Sequence, residues 1–170
     1  EDGRVAVVAG IRTPFSKSGT LYRRLSAVEL GRACVAELVQ RTGLDTNTVD
    51  GIVFGTVVPS VLAPNIAREV SLLPHFPKGV QAFTVGRACA SANQAITDAA
   101  DQIALGHAHV MIAGGAESLS MVPILHSATF SDALLTASRS KSLGGRIMAL
   151  GRIRPRDLIP VTPAIAEPST

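Results

Sequence analysis

The chain has 170 residues, 46% of them hydrophobic and 17% charged, and its mean hydropathy is +0.32. Such a chain can bury a core that offsets its ordering entropy, which excludes disorder as the default and suits one compact domain, or marginally two. A net charge of +3 points to neither nucleic acid nor a membrane surface, and 4% aromatics are too few to stack single strands.

Two cysteines, Cys34 and Cys89, lie in different contexts and build no disulfide framework. A reducing, cytoplasm-like compartment with both thiols free is the simplest reading, and an organelle matrix fits equally. Residues 1–4 are not a basic leader, the apolar run at 5–9 is too short for a signal sequence, and no stretch approaches the roughly 18 apolar residues of a membrane span.

In chain order, the apolar run Val5 to Ala9, closed by Gly10, predicts a strand buried on both faces. Residues 11–22, with Thr13, Pro14, Ser16, Ser18 and Gly19, predict a loop. Ser26 followed by Glu29 is a capping-box pattern, Ala27, Leu30, Cys34 and Leu38 continue at helical spacing, and Gly43 is a fitting stop. Ile52, Val53 and Phe54 predict a second strand. Residues 64–73 carry a short helix pattern with Asn65 as its cap. Gln81 to Val85 predicts a third strand, and Ser91 to Leu105 a helix whose apolar stripe is Ala92, Ile96, Ala99 and Ile103. Val110 to Ala113 predicts a fourth strand, stopped by Gly114 and Gly115. Strands alternating with helices predict an α/β fold, a mostly parallel sheet with covering helices and right-handed crossovers. A boundary is expected near residue 120. Residues 121–170 show no convincing strand, carry a basic cluster and four late prolines, and predict a partly helical, irregular segment.

Residues 85–93 are the most informative. They run from a buried strand straight into a helix, with Cys89 at the junction. Unpaired N–H groups and the dipole at a helix start favour negative charge on a sulfur placed there. The Cys89 N–H is placed to help bind an oxyanion when an acyl carbonyl is attacked. Gly86, Ala88, Ala90, Ser91 and Ala92 leave room for a substrate. An inert, small core cysteine explains the same local residues equally well. Cys34, on the apolar stripe of an ordinary helix, is expected to pack in the core. His75, His107, His109 and His126 have no metal-ligand spacing and read as structural or solvated. Gly114 and Gly115 read as a tight strand-end turn, since no G-x-G-x-x-G or Walker pattern accompanies them.

Four phrases together resemble the thiolase family. Arg12-Thr-Pro-Phe15 resembles its RTPF signature, and Pro64-Asn-Ile-Ala-Arg68 its P-x-x-A-R helix. Cys89-Ala-Ser-Ala-Asn-Gln-Ala95 resembles its acyl-enzyme motif, usually C-x-S-G-x-Q-A, and Gly114-Gly-Ala-Glu-Ser-Leu-Ser120 its GGxExMS strand end. Pro123 to Ser127 is most similar to the thiolase subunit of fatty-acid β-oxidation complexes, the trifunctional β type. The resemblance implies a thiolase N-terminal α/β domain over residues 1–120 and the start of a loop domain over 121–170. It implies Cys89 as the acyl-accepting nucleophile of a 3-ketoacyl-CoA thiolase, an acetyl-CoA C-acyltransferase that takes acyl-CoA and coenzyme A as substrates, with no covalently bound cofactor and no metal. It further implies a homodimer or tetramer, and a hydratase/dehydrogenase subunit as partner. In the family a second half supplies a histidine in G-H-P and a second cysteine in C-x-G, and residues 121–170 contain neither pattern. The chain is therefore expected to be an N-terminal part that does not turn over alone. A ketoacyl-synthase-type condensing enzyme and a non-catalytic interaction module are the alternative readings.

Overall fold

The structure is a computed structural model and describes residues 4–161. It divides into two compact units, residues 1–122 and 123–170.

The first unit is built on a parallel sheet of β1 (Gly51–Gly55), β2 (Gln81–Val85) and β3 (Met111–Gly115), in the order β2-β1-β3. Both ladders run five residues, pairing Gly51 with Gln81 and Met111 and Gly55 with Val85 and Gly115. β1 is buried along its whole length because it has a strand on each side and a helical layer on each face. Its side chains alternate between those layers. Ile52 and Phe54 join Val35, Ile66, Val70 and Ile112 under α1 (Ala27–Thr42) and α2 (Ile66–Ser71). Val53 faces Ala95 and Ala99 of α3 (Ser91–Ala104). Ile52, Val53 and Val70 are fully enclosed, and burial of each contributes about 1.5–3 kcal/mol.

The topology explains why the helices separate. The chain steps from β1 to β2 in one direction, then returns past β1 to β3. Right-handed crossovers that reverse direction put their helices on opposite faces, and α2 and α3 are so placed.

Local signals set the ends of α1. The Ser26 hydroxyl accepts from the Glu29 N–H at 3.2 Å, and the Glu29 carboxylate accepts from the Ser26 N–H at 2.7 Å. Gly43 closes the helix in the left-handed region, at φ 64°. Asn65 caps α2 as expected, its side chain accepting from the Arg68 N–H.

Four expectations are corrected. Residues 4–10 form no strand, and Val7 and Val8 are 86% and 92% exposed. A strand needs a ladder neighbour, and the apolar run pairs with neither outer edge of the sheet. The buried face of α3 is Ser91, Ala95 and Ala99, whereas Ile96 is 49% exposed. Only small residues fit where that helix meets the sheet. Gly114 and Gly115 are the last residues of β3 rather than a turn after it. Finally, residues 123–161 are more regular than expected. They form α4 (Ala128–Arg139) and α5 (Leu143–Leu150), capped by the hydroxyls of Ser127 and Ser142. A short helical turn at Pro155–Leu158 and an isolated bridge between Leu125 and Val161 complete this unit.

Candidate active site

The carboxyl ends of the three strands lie side by side and are tied together beyond the ladders. The Thr56 N–H donates to the Val85 carbonyl at 3.3 Å, and the Ala116 N–H to the Gly55 carbonyl at 3.2 Å. Above these ends is a cavity of about 430 Å³, walled by residues 11–18, by Leu30, Gly31 and Cys34 of α1, by residues 55–57, by the start of α3, and by residues 115–120.

Cys89 stands on that wall. It is exposed, and it sits in the tight turn that joins β2 to α3. The Ala90 N–H donates to the Arg87 carbonyl at 3.0 Å, and the Ser91 N–H to the Ala88 carbonyl at 3.1 Å. The Ser91 hydroxyl crosses the same turn, accepting from the Arg87 N–H at 2.8 Å and donating to the Ala88 carbonyl at 2.6 Å. This substitutes for a side-chain cap, which Ala90 cannot provide. Ala88 is forced to a positive φ of 46°, a strained value for a residue with a Cβ. The outcome is a short, rigid elbow that presents a thiol to the cavity at the start of a 14-residue helix.

The elbow can sit so low because two strand ends are glycine. A Cβ on Gly55 would lie 2.3 Å from the Ser91 carbonyl carbon and 2.5 Å from the Ala92 nitrogen. A Cβ on Gly115 would lie 2.7 Å from the Gly55 oxygen and 3.0 Å from the Ala92 Cβ. Gly115, one of the two glycines read as a turn, therefore serves close packing between the α3 start and the sheet, together with Gly55.

The facing wall is the segment after β3. One oxygen of the Glu117 carboxylate, Oε2, accepts from the Val57 N–H at 2.7 Å, the Val58 N–H at 3.1 Å and the Thr56 hydroxyl at 3.3 Å. The Ser118 hydroxyl donates to the Leu25 carbonyl at 2.6 Å, and the Gly19 N–H donates to the Ser120 hydroxyl at 2.9 Å. These bonds hold the long loop before α1 against the exit of β3. Arg12 lies over the Phe15 ring, 4.9 Å from its centroid, in the same loop.

Cys34 does not pack in the core. It is half-buried and lines the cavity that Cys89 lines. The histidines stay apart from this site. His109 gives its backbone N–H to Asp50 at 2.6 Å, His126 stacks on Phe130 with ring centroids 4.7 Å apart, and the His75 carbonyl accepts from the Thr46 hydroxyl. His107 also lies outside the cavity wall. Among the described residues no group of three or more metal-ligating side chains comes together. The carboxylate of Glu117 and the hydroxyl of Ser91 escaped the reading of single residues, because their partners are set by tertiary packing or a turn. A carboxylate two residues after a Gly-Gly strand end is the available signal for the first.

The model of the thiolase N-terminal domain matches residues 5–147, most of the chain. The protein belongs to the thiolase family. It is 44% identical over 167 residues to a 3-ketoacyl-CoA thiolase of Photorhabdus laumondii, and 42% identical over the same length to a 3-ketoacyl-CoA thiolase of Yersinia pestis. Each match takes in 98% of this chain and 38% of the relative, so the chain spans well under half the length of these curated thiolases. The crystal structure of the Bacillus anthracis acetyl-CoA acetyltransferase superposes with a TM-score of 0.66 at 34% identity, over 69% of this chain and 30% of that one. The thiolase resemblance carried by four short motifs, and the α/β fold expected from alternating strands and helices, are thereby borne out. No helix among the described residues is long and apolar enough to cross a membrane.

Proposed function

We propose that this chain carries the acyl-accepting nucleophile of a 3-ketoacyl-CoA thiolase, and that Cys89 is that nucleophile. The observation that carries the reading is the position of Cys89. It is an exposed thiol on a rigid strand–helix elbow, on the wall of a cavity at the carboxyl ends of parallel strands. Support comes from the 44% identity to a 3-ketoacyl-CoA thiolase.

In the proposed reaction the Cys89 sulfur adds to the C3 carbonyl of a 3-ketoacyl-CoA. The C2–C3 bond then breaks, its electron pair stays on C2, and protonation of C2 gives acetyl-CoA. The shortened acyl group remains as a thioester on Cys89 and passes to the thiol of a second coenzyme A. The α3 start contributes partial positive charge beside the sulfur and the developing oxyanion. The base that takes the thiol proton and the acid that protonates C2 are, in this reading, the histidine and second cysteine of the family. No histidine lines the described cavity. Residues 1–120 would form the thiolase N-terminal α/β domain and 121–170 the start of the loop domain. Fatty-acid β-oxidation in bacterial cytoplasm or an organelle matrix, a homodimer or tetramer, and a hydratase/dehydrogenase partner complete the proposal.

Acylation is the test, since transfer from an acyl-CoA to Cys89 is the last step run in reverse and leaves the C2–C3 chemistry aside. The protein is incubated with an acyl-CoA, digested, and mapped by mass spectrometry. An acyl mass is expected on the Cys89 peptide, lost in Cys89→Ala and retained in Cys34→Ala. An adduct confined to Cys34, or none on Cys89, overturns the assignment.

A further inference from the structure

Glu117 lines the same cavity as Cys89 without belonging to the chemistry just described. Its carboxylate is half-buried and reaches back across the sheet from the exit of β3 to the exit of β1, some 60 positions away in sequence. A single oxygen takes all three donors, two backbone N–H groups and one hydroxyl. Residues 56–58 have left the ladder at that point, so Glu117 supplies the acceptors for their N–H groups at 57 and 58. Thr56, Val57 and Glu117 all line the cavity, and Gly55, one residue upstream, touches the start of α3 that carries the nucleophile turn.

We infer that Glu117 is a positioning residue for acyl transfer to Cys89: its Oε2 locks the 56–58 segment as a fixed wall that holds the acyl thioester at the sulfur. This rests on the proposed thiolase reading. The role needs an acceptor oxygen at that distance and does not need the charge. Glutamine keeps such an oxygen at the same reach. Aspartate keeps the charge but is one methylene shorter, and alanine removes both. A charge-based role predicts the opposite ranking of glutamine and aspartate.

The experiment follows Cys89 acylation by an acyl-CoA at saturating concentration, beside alkylation of the same thiol by iodoacetamide and thermal unfolding, in wild type, E117Q, E117D and E117A. A misplaced wall is expected to slow acylation about tenfold in E117A and E117D, in keeping with the sensitivity of such steps to displacements of about 1 Å. E117Q is expected to stay within about twofold of wild type. Iodoacetamide is small and needs no wall, so its rate is expected to hold in every folded variant. Acylation of folded E117A or E117D at the wild-type rate overturns the inference. So does E117Q if it is slowed as much as E117D. If E117A fails to fold, the contrast between glutamine and aspartate decides. Failure of the thiolase reading itself looks different: wild-type Cys89 then reacts with iodoacetamide and is not acylated at all.

Discussion

Replacing Gly55 with alanine tests the packing that places Cys89, the proposed nucleophile. The new Cβ would meet the Ser91 carbonyl carbon at 2.3 Å, the Ala92 nitrogen at 2.5 Å and the Ser91 oxygen at 2.5 Å. Ordinary carbon contacts lie at about 3.5–4.0 Å, so the helix start has to retreat by about 1 Å. Every atom met is backbone, and no side-chain rotation relieves the clash. Two separable effects follow. Overpacking of this kind costs about 1–3 kcal/mol of stability. Displacement of the turn around residues 87–91 carries the Cys89 sulfur with it, and a 1 Å misplacement costs on the order of a hundredfold in rate.

Urea unfolding measures the first effect and Cys89 acylation the second, both beside Gly86→Ala. Gly86 is the natural control: it lies three residues before Cys89, and a Cβ there would meet nothing within 4 Å. Gly86→Ala should therefore fold and acylate like wild type. If Gly55→Ala also keeps wild-type stability within about 0.5 kcal/mol and acylates at the wild-type rate, close approach of α3 to the sheet is not what positions Cys89.

Two further outcomes follow from the same geometry. Ala88→Gly should raise stability by up to about 1 kcal/mol instead of lowering it, because it relieves a residue held at φ 46°; a loss on urea unfolding would refute the strain. Asp50 accepts the N–H groups of His109 and Val110 at 2.6 and 3.0 Å, and these bonds hold its carboxyl below the usual aspartate value. A depressed folded value means stability that is present above the unfolded value of about 4 and is lost as pH falls through the folded one. Unfolding free energy followed from pH 6 to pH 2 should therefore fall less steeply in Asp50→Asn than in wild type, and equal slopes would refute this.

Features encoded by neighbours in sequence were legible. The Ser26–Glu29 capping box, Asn65 before α2 and the strand–helix junction at Cys89 rest on contacts a few residues apart, and the three ladder strands announce themselves as short apolar runs. Misreadings arose where a distant partner decides. The run at 5–9 has the composition of a buried strand, yet it pairs with no strand of the sheet. Ile96 has the apolar character expected of an inward position, but the face of α3 that meets the sheet is Ser91, Ala95 and Ala99. Ser127 and Ser142 were visible cap residues for α4 and α5. Their signal was hidden by the basic, proline-bearing composition around them.

The location of the candidate site follows from strand order more than from any one motif. In a parallel sheet the segments that leave the carboxyl ends diverge wherever successive crossovers take opposite faces, and a crevice opens between them. Here that divergence falls at β1, flanked by β2 and β3, with α2 on one face and α3 on the other. The chain fills the crevice sparingly. Gly55 and Gly115 let α3 start directly on the strand ends, Ser91 ties its first turn, and Glu117 holds the opposite wall with one oxygen. A thiol at residue 89 thereby meets a helix dipole and an open cavity at once. Moved two turns along α3, to the exposed Thr97, the same side chain would leave the junction and the first turn of the helix, where N–H groups lack intrahelical partners. The exposed place of this thiol on the cavity wall is thus a property of the crossover geometry, and the small residues around Cys89 are what allow the fold to deliver it.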